Sequence, residues 1–244
     1  VAVRLSFLGS GSAFSGCGAN ASALLDERVM VDAGSPAHLL LPRLGVRIHD
    51  LELVLLTHFH LDHSGTLPLL LGALAHSDEP PEPGRLTIAG PAGTRELIER
   101  LTVAGFGGPT QRRIDERVTP RYVVLHDGSD VEIGGSRVRS HAVTHATGPS
   151  LAYSVTRSGL RVGFSGDTIL CAGLRRLAGE VDALVCECSG PDAPVGGGHL
   201  WRGEVAELVE ENPGVRFVLN HLTAPVSIPG ALVAHDLLTL ELTG

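Results

Sequence analysis

The chain has 244 residues and a net charge of −8, with 43% hydrophobic and only 4% aromatic residues, so Leu, Val and Ala must build its core. No apolar run approaches the roughly 20 residues needed to cross a bilayer, which predicts no membrane association. All nineteen basic residues are Arg, and the acidic balance argues against nucleic acid as a partner, because broad nucleic-acid binding wants a basic surface.

The opening stretch VAVRLSFLGSGS is too short and too broken by Gly and Ser to read as a signal peptide. VRLSFLG (3–9) reads as a strand, and SALLDERVMVDAG (22–34) as a hairpin ending at Asp32. PAHLLLPRLGV (36–46) reads as a helix, LELVLLTH (51–58) as a buried strand and GTLPLLLGALAH (65–76) as a second helix. A Pro-rich loop (77–85), a strand at LTIAG and a helix at GTRELIERLTVAG (93–105) follow. QRRIDERVTPR (111–121) interleaves both charges and reads as a solvated face or loop, not a phosphate track.

The rhythm repeats beyond it. Strands are expected at YVVLHD, DVEIGGSRVRSHAVTH, SLAYSVTRSGLRVGFSGD and ALVCECSG. A helix at 202–213 and a strand at 215–222 come next, and ALVAHDLLTLEL reads as a short helix and a last strand or two. Strands in each half with helices between them predict one domain. Two sheets pack face to face under outer helices, and the halves meet near residues 110 to 125. The four cysteines (17, 171, 186 and 188) form no C-x-x-C pair. They read as reduced thiols of a cytoplasmic protein, not a zinc cage, and CEC on a strand points Cys186 and Cys188 to one face.

LVLLTHFHLDHSG (53–65) packs His58, His60, Asp62 and His63 into six positions behind an apolar run. A buried strand ending in polar residues presents them at a sheet edge, where sites form in layered α/β folds. His58 and His60, at i and i+2, face one side of an extended backbone, and Asp62 and His63 can turn toward a second ion. Further ligands are available where other strand-like runs end, at His145, Asp167 and His221. Asp167 is the natural bridging carboxylate because it offers two oxygens. His141 rivals His145 on the same strand face, but His145 lies nearer the strand end. Asp32 suits a supporting role beside a ligating histidine. His38, His49, His76, His126 and His235 have no ligand spacing, and Phe59 and Trp201 are candidates for either pocket lining or packing. LGSGSAFSG lacks a following Gly-Lys-Ser/Thr and reads as a loop bordering the pocket, not a phosphate cradle.

THFHLDH resembles the H-x-H-x-D-H signature of the metallo-β-lactamase superfamily, and the resemblance runs through FLGSGSAF, MVDAG, VTHATGPSLAYSV, GFSGDT and LNHL. It implies an α/β fold, an αββα sandwich of two mixed sheets with helices on both outer faces. It also implies hydrolysis at a dinuclear centre of two divalent ions, zinc first, with manganese or iron as alternatives. The ribonuclease Z and phosphodiesterase branch is the most similar. LGSGSAFSGCGANAS with Asn20, CECSG around Glu187 and GGGHLWRGEVAEL around His199 resemble its motifs. Carried over, His199 binds the phosphate or donates a proton with Glu187 supporting it, although HLWRGE replaces the branch's small-residue HST run. Asp62 joins them as a catalytic residue, and a homodimer is implied. That branch's ribonucleases carry a long tRNA-gripping arm between the third ligand and the bridging aspartate, whereas here only twenty-one residues separate His145 from Asp167. The expected substrate is therefore a small phosphodiester or cyclic nucleotide. The alternatives are a tRNA-processing-like endonuclease, a carboxylic ester, lactone or sulfate ester hydrolase, a redox iron protein, and a non-catalytic binding protein of the same fold.

Overall fold

The computed structural model describes residues 2–194 and 196–243. Strands β1 (Ala2–Gly9), β2 (Ser22–Leu25), β3 (Val29–Val31), β4 (Leu53–Leu55), β5 (Thr87–Gly90) and β6 (Arg121–Val124) belong to the first sheet. Strands β7 (Asp130–Ile133), β8 (Ser136–Val143), β9 (Ser150–Arg157), β10 (Leu160–Phe164), β11 (Ala183–Glu187), β12 (Arg216–Asn220) and β13 (Ala231–Val233) form the second. The last strand, β14 (Thr239–Thr243), returns to the first sheet beside β1. Each sheet is therefore seven-stranded, in the orders β14-β1-β2-β3-β4-β5-β6 and β13-β12-β11-β10-β9-β8-β7. Both are mixed: β3 to β6 run parallel, as do β10 to β13, and the remaining neighbours are antiparallel.

Helices α1 (Ala37–Leu40), α2 (Leu61–Ser64), α3 (Leu67–His76), α4 (Thr94–Phe106) and α5 (Gly108–Arg117) come from the first half of the chain, and α6 (Ala172–Ala178) and α7 (Arg202–Glu211) from the second. Three apolar clusters hold the layers together. Phe7, Leu25, Leu55, Val138, Tyr153, Val162 and Val218 fill the space between the sheets. Met30, Leu56, Leu70, Leu74, Ile98 and Ile114 seal one outer face under α3, α4 and α5, and Leu174, Leu184, Leu208 and Phe217 seal the other under α6 and α7. This is the αββα sandwich expected from the sequence. Cys186 and Cys188 both point into the last cluster, as the alternation of a strand requires, which turns Glu187 to the opposite side.

Four local expectations need correction. Pro42 removes a backbone donor, so the helix expected over 36–46 stops after one turn and continues as a 3₁₀ helix, Leu41–Leu44. The strand expected over 51–58 is paired only from Leu53 to Leu55, and the chain beyond it is freed to carry Thr57 and His58. The charged stretch after residue 110 is a helix face and not a loop: Ile114 is the buried contact of α5, Arg113 and Arg117 donate to the Ala75 carbonyl at 3.1 and 2.8 Å, and the acidic side chains face water. The C-terminal segment contains no helix, because Ala231–Val233 add to the edge of β12 as a parallel strand. Helix α6 escaped the sequence reading, its pattern being only seven residues long.

Two contacts tie the sheets together at the end where the histidines lie. The buried Tyr153 hydroxyl on β9 donates to the Leu56 carbonyl just past β4, at 2.7 Å. The Leu151 amide donates to the Thr57 carbonyl at 2.9 Å. Strands β9 and β10 join through Ser158 and Gly159, both at positive φ (52° and 82°), a two-residue turn whose twist matches the flanking strands. Among the described residues no helix is long and apolar enough to cross a membrane.

Replacing Tyr153 with Phe should destabilise the fold by about 1–2 kcal/mol, the cost of one lost buried hydrogen bond. Urea unfolding should show a lower midpoint at unchanged slope. An unchanged midpoint would mean that this cross-sheet bond contributes nothing.

Candidate metal centre

The residues with metal-ligating chemistry collect at one end of the sandwich, just beyond the carboxyl ends of parallel strands. Asp32 follows β3, His58 and His60 follow β4, Asp167 follows β10, and His221 follows β12. His145 follows β8, and Glu187 ends β11. The pattern matches the general location of sites in open α/β sheets.

Two groups of donor atoms lie within 4.8 Å of one another and could each hold an ion: His58, His60, His145 and Asp167, and Asp62, His63, Asp167 and His221. Asp167 belongs to both. Its Oδ2 stands 3.3 Å from His63 Nε2, 3.4 Å from His221 Nε2, 3.7 Å from His58 Nε2 and 3.9 Å from His145 Nε2. His60 presents Nδ1 instead, 3.2 Å from His58 Nε2 and 3.1 Å from His145 Nε2. Asp62 Oδ2 lies 3.2 Å from His221 Nε2 and 3.5 Å from His63 Nε2. All seven sequence-selected ligand candidates thus meet in one place. His141 does not join them: it is buried against Glu180, 2.6 Å away.

Four of the five imidazoles, all but His60, are aimed from behind. His63 Nδ1 donates to Asp32 Oδ2 at 2.8 Å, His145 Nδ1 to the Gly198 carbonyl at 3.0 Å, and His221 Nδ1 to Ser189 Oγ at 2.9 Å. Asp32 also accepts from the amide and hydroxyl of Thr57, whose oxygen sits 3.0 Å from His58 Nδ1. Such contacts fix the tautomer and leave the opposite ring nitrogen free for an ion. Thr57, Ser189 and Gly198 were not singled out in the sequence. The only signals were a hydroxyl directly before His58 and another two residues after Glu187.

The backbone is bent to suit. Asp32 and His221 occupy the left-handed region, at φ 61° and 53°, which non-glycine residues seldom adopt outside functional sites. Gly166, at φ 57°, lies so close to Thr57 that a Cβ would come within 2.8 Å of the threonine Cβ. Gly34 packs on the Asp62 carbonyl, where a Cβ would approach to 1.8 Å, so it sets the seat of α2 and with it Asp62 and His63.

The electrostatics fit cations. Burial, with His63 second, pushes His58 down to about 2, so its ring stays neutral and able to ligate. Burial opposes charge on Asp62 and Asp167. At Asp62 the His221 hydrogen bond and neighbouring His63 outweigh it and hold the carboxyl at about 2; at Asp167 neighbouring His63 and His221 hold it well below the ordinary range. His63 Nε2 and both Asp167 oxygens are buried with no hydrogen-bond partner in the protein. Buried atoms of this kind normally have partners, and divalent ions between them would supply those partners. The cluster is therefore compatible with a dinuclear divalent metal site.

A third group, Glu187, His199 and His221, adjoins the first two. His199 Nδ1 lies 3.1 and 3.2 Å from the two Glu187 oxygens. Burial works against its protonation, but the hydrogen bond to Glu187 raises its pKa above the ordinary value. Ser189 Oγ donates to Glu187 Oε2 at 2.7 Å and joins this pair to His221. These groups open on a cavity of about 890 Å³ whose walls include Ser12, Phe14, Asn20, His60, Asp62 and His199. The Gly/Ser loop after β1 borders it as expected. Trp201 instead packs over Gly190 and Gly203, and Phe59 over Gly93.

A model of the Beta-lactamase superfamily domain matches residues 27–222. The chain belongs to this superfamily. Among curated superfamily relatives, a ribonuclease Z of Mycobacterium bovis is 31% identical over 166 residues, which cover 65% of this chain and 59% of the relative. The chain thus spans under two thirds of that relative's length. A relative of that name gives the expectation against nucleic acid no support. Among solved structures, the metallo-beta-lactamase fold protein YhfI of Bacillus subtilis has a TM-score of 0.79 at 18% identity, covering 98% of this chain and 99% of its own. A diphosphatase from the PhnP family has a TM-score of 0.76 at 15% identity, covering 99% and 98%. These likenesses are of fold, and the sheet orders described above are the superfamily's sandwich.

Equilibrium dialysis against zinc should find two bound equivalents in the intact protein. Asp167→Ala should lower both, His145→Ala chiefly one, and His141→Ala neither. Asp32→Ala should weaken retention against a chelator by about 10- to 100-fold, the range for lost outer hydrogen bonds. Full retention in Asp167→Ala would sink the shared-carboxylate reading.

Proposed function

We propose that this protein is a dinuclear-metal-dependent phosphodiesterase acting on small phosphodiesters, cyclic nucleotides included. The observation that carries the proposal is the Asp167 carboxylate, shared by two groups of ligating atoms at the floor of an open cavity. The diphosphatase of similar fold and the ribonuclease Z relatives, by name enzymes that cleave bonds to phosphorus, support it.

In this reading His58, His60 and His145 would hold one ion, Asp62, His63 and His221 would hold the other, and Asp167 is available to both. Zinc suits the mixture of imidazole and carboxylate best, with manganese and iron as alternatives. Bound there, two ions supply Lewis acidity and lower the pKa of a water to about 7. The protein contributes the rest. Asp62, on the cavity wall, orients the attacking water. Glu187 accepts from His199 Nδ1 and keeps that ring turned so that Nε2 is left for a substrate oxygen. A protonated His199 then stabilises charge on the phosphoryl group and gives its proton to the departing alkoxide.

RNA is a second reading, favoured by the ribonuclease Z relatives. Against it, the described residues lining the cavity include no arginine, and the short Ser158–Gly159 turn stands where an RNA-gripping arm would have to emerge.

Metal-loaded protein should cleave bis(p-nitrophenyl) phosphate in preference to p-nitrophenyl acetate and p-nitrophenyl sulfate, and His63→Ala should abolish that activity while remaining folded by circular dichroism. Preference for the acetate or sulfate would move the protein to another hydrolase class. His199→Ala should lower kcat by about 10²- to 10⁴-fold on a diester with an alkoxide leaving group. On bis(p-nitrophenyl) phosphate, whose phenolate leaves unaided, the loss should be far smaller. Equal losses on both would remove His199 from proton donation.

A further inference from the structure

The cavity beside the metal-ligating cluster has one wall that the proposed chemistry does not use. Phe14 is fully exposed, at 102% of its reference area, in a chain with only six phenylalanines. Leu61, 63% exposed, lines the same cavity between the site residues His60 and Asp62. Large apolar side chains left in water beside a reactive centre forgo burial, and a ligand that covers them recovers it.

Phe14 is also held in place. It is one of the two central residues of a turn closed by the Ser15 amide on the Ser12 carbonyl. Both ends of the turn are fastened to the residue after His221: the Ser12 amide and the Ser15 hydroxyl donate to the Leu222 carbonyl, at 3.1 and 2.7 Å. The Leu222 amide in turn donates to the Ser10 carbonyl at 2.9 Å. The aromatic ring therefore rides on the same short piece of backbone that places His221, and it is presented to the cavity without a folding step.

Resting on the phosphodiesterase reading, we propose that Phe14 is the stacking platform for a planar, uncharged ring of nucleobase size carried on one ester arm of the substrate. Three observations select such a ring. The cavity volume, about 890 Å³, suits a ligand the size of a mononucleotide. Beyond His199, assigned to the reacting phosphoryl group, its described lining offers no arginine to pair with further phosphates, so a single phosphodiester fits and a chain of them does not. Ser12 and Asn20 line the same cavity; the Asn20 amide nitrogen donates to the Ala13 carbonyl at 3.5 Å, but its amide oxygen and the Ser12 hydroxyl would be left unpaired against an alkyl chain and can pair with the edge of a heterocycle. Stacking on an exposed aromatic tolerates any base, so the platform selects for a ring without selecting among bases.

The test compares 2′,3′-cyclic AMP with glycerol 1,2-cyclic phosphate, two five-membered cyclic diesters with alkoxide leaving groups, only one of which carries a ring. The intact protein should favour the nucleotide in kcat/KM, and Phe14→Ala should cut that preference by about five- to a hundredfold, the measured range for one stacked base. A second readout needs no turnover. In Phe14→Trp, with Trp201 as a constant background, AMP should quench the new indole's fluorescence saturably. An unchanged preference in Phe14→Ala together with no quenching would overturn the platform while leaving the phosphodiesterase reading intact. Quenching with neither diester cleaved would sustain the platform and overturn the phosphodiesterase reading. Neither cleavage nor quenching would overturn both.

Discussion

One buried carboxylate oxygen, Asp167 Oδ2, sits within 4 Å of five imidazole nitrogens, those of His58, His63, His145, His199 and His221. Much of the local structure serves that arrangement. Imidazoles this close repel if protonated and are costly to bury without partners. They are tolerated because Asp62 and Asp167 supply negative charge and because other hydrogen bonds hold the rings of His58, His63, His145 and His221 from behind. Asp32 and Thr57 on one side, and Ser189 and the Gly198 carbonyl on the other, turn separate strand ends into one set of converging donors. The left-handed backbone of Asp32 and His221, and the close approach of Gly166 to Thr57, are conformational costs accepted to reach that geometry.

Much of this was legible in the sequence, and the reason is local. The apolar run at 53–56, the spacing of three histidines and an aspartate just after it, and a polar residue at the end of each later strand are signals carried by neighbouring positions. So is the turn of Glu187 to the face opposite the two buried cysteines. The preference for His145 over His141 follows from position along β8, and Glu180 explains why the nearer histidine is occupied elsewhere.

What could not be read belongs to longer range. The serine that joins His221 to Glu187 is an ordinary residue until β11 and β12 pair in register, which sets Glu187 against Asn220 and brings Ser189 beside the residue that follows. Trp201 lies next to His199 in sequence yet packs on two glycines away from the cavity. The terminal segment misread as a helix is a strand only because an open edge of β12 was waiting for it. Phe14 carried no signal of its own, since its exposure depends on where Leu222 anchors the turn.

The candidate ligands also divide by layer. His58, His60, Asp62 and His63 extend from the first sheet, whereas His145, Asp167 and His221 extend from the second. The two groups of donors that share Asp167 each draw on both. A cation held there would act as a rivet across the seam of the sandwich, and by mass action its binding free energy would add to the cohesion of the two layers. Ion occupancy and resistance to unfolding would then be two readings of one equilibrium, so a cell that starves this protein of ions would leave it folded but easier to unfold.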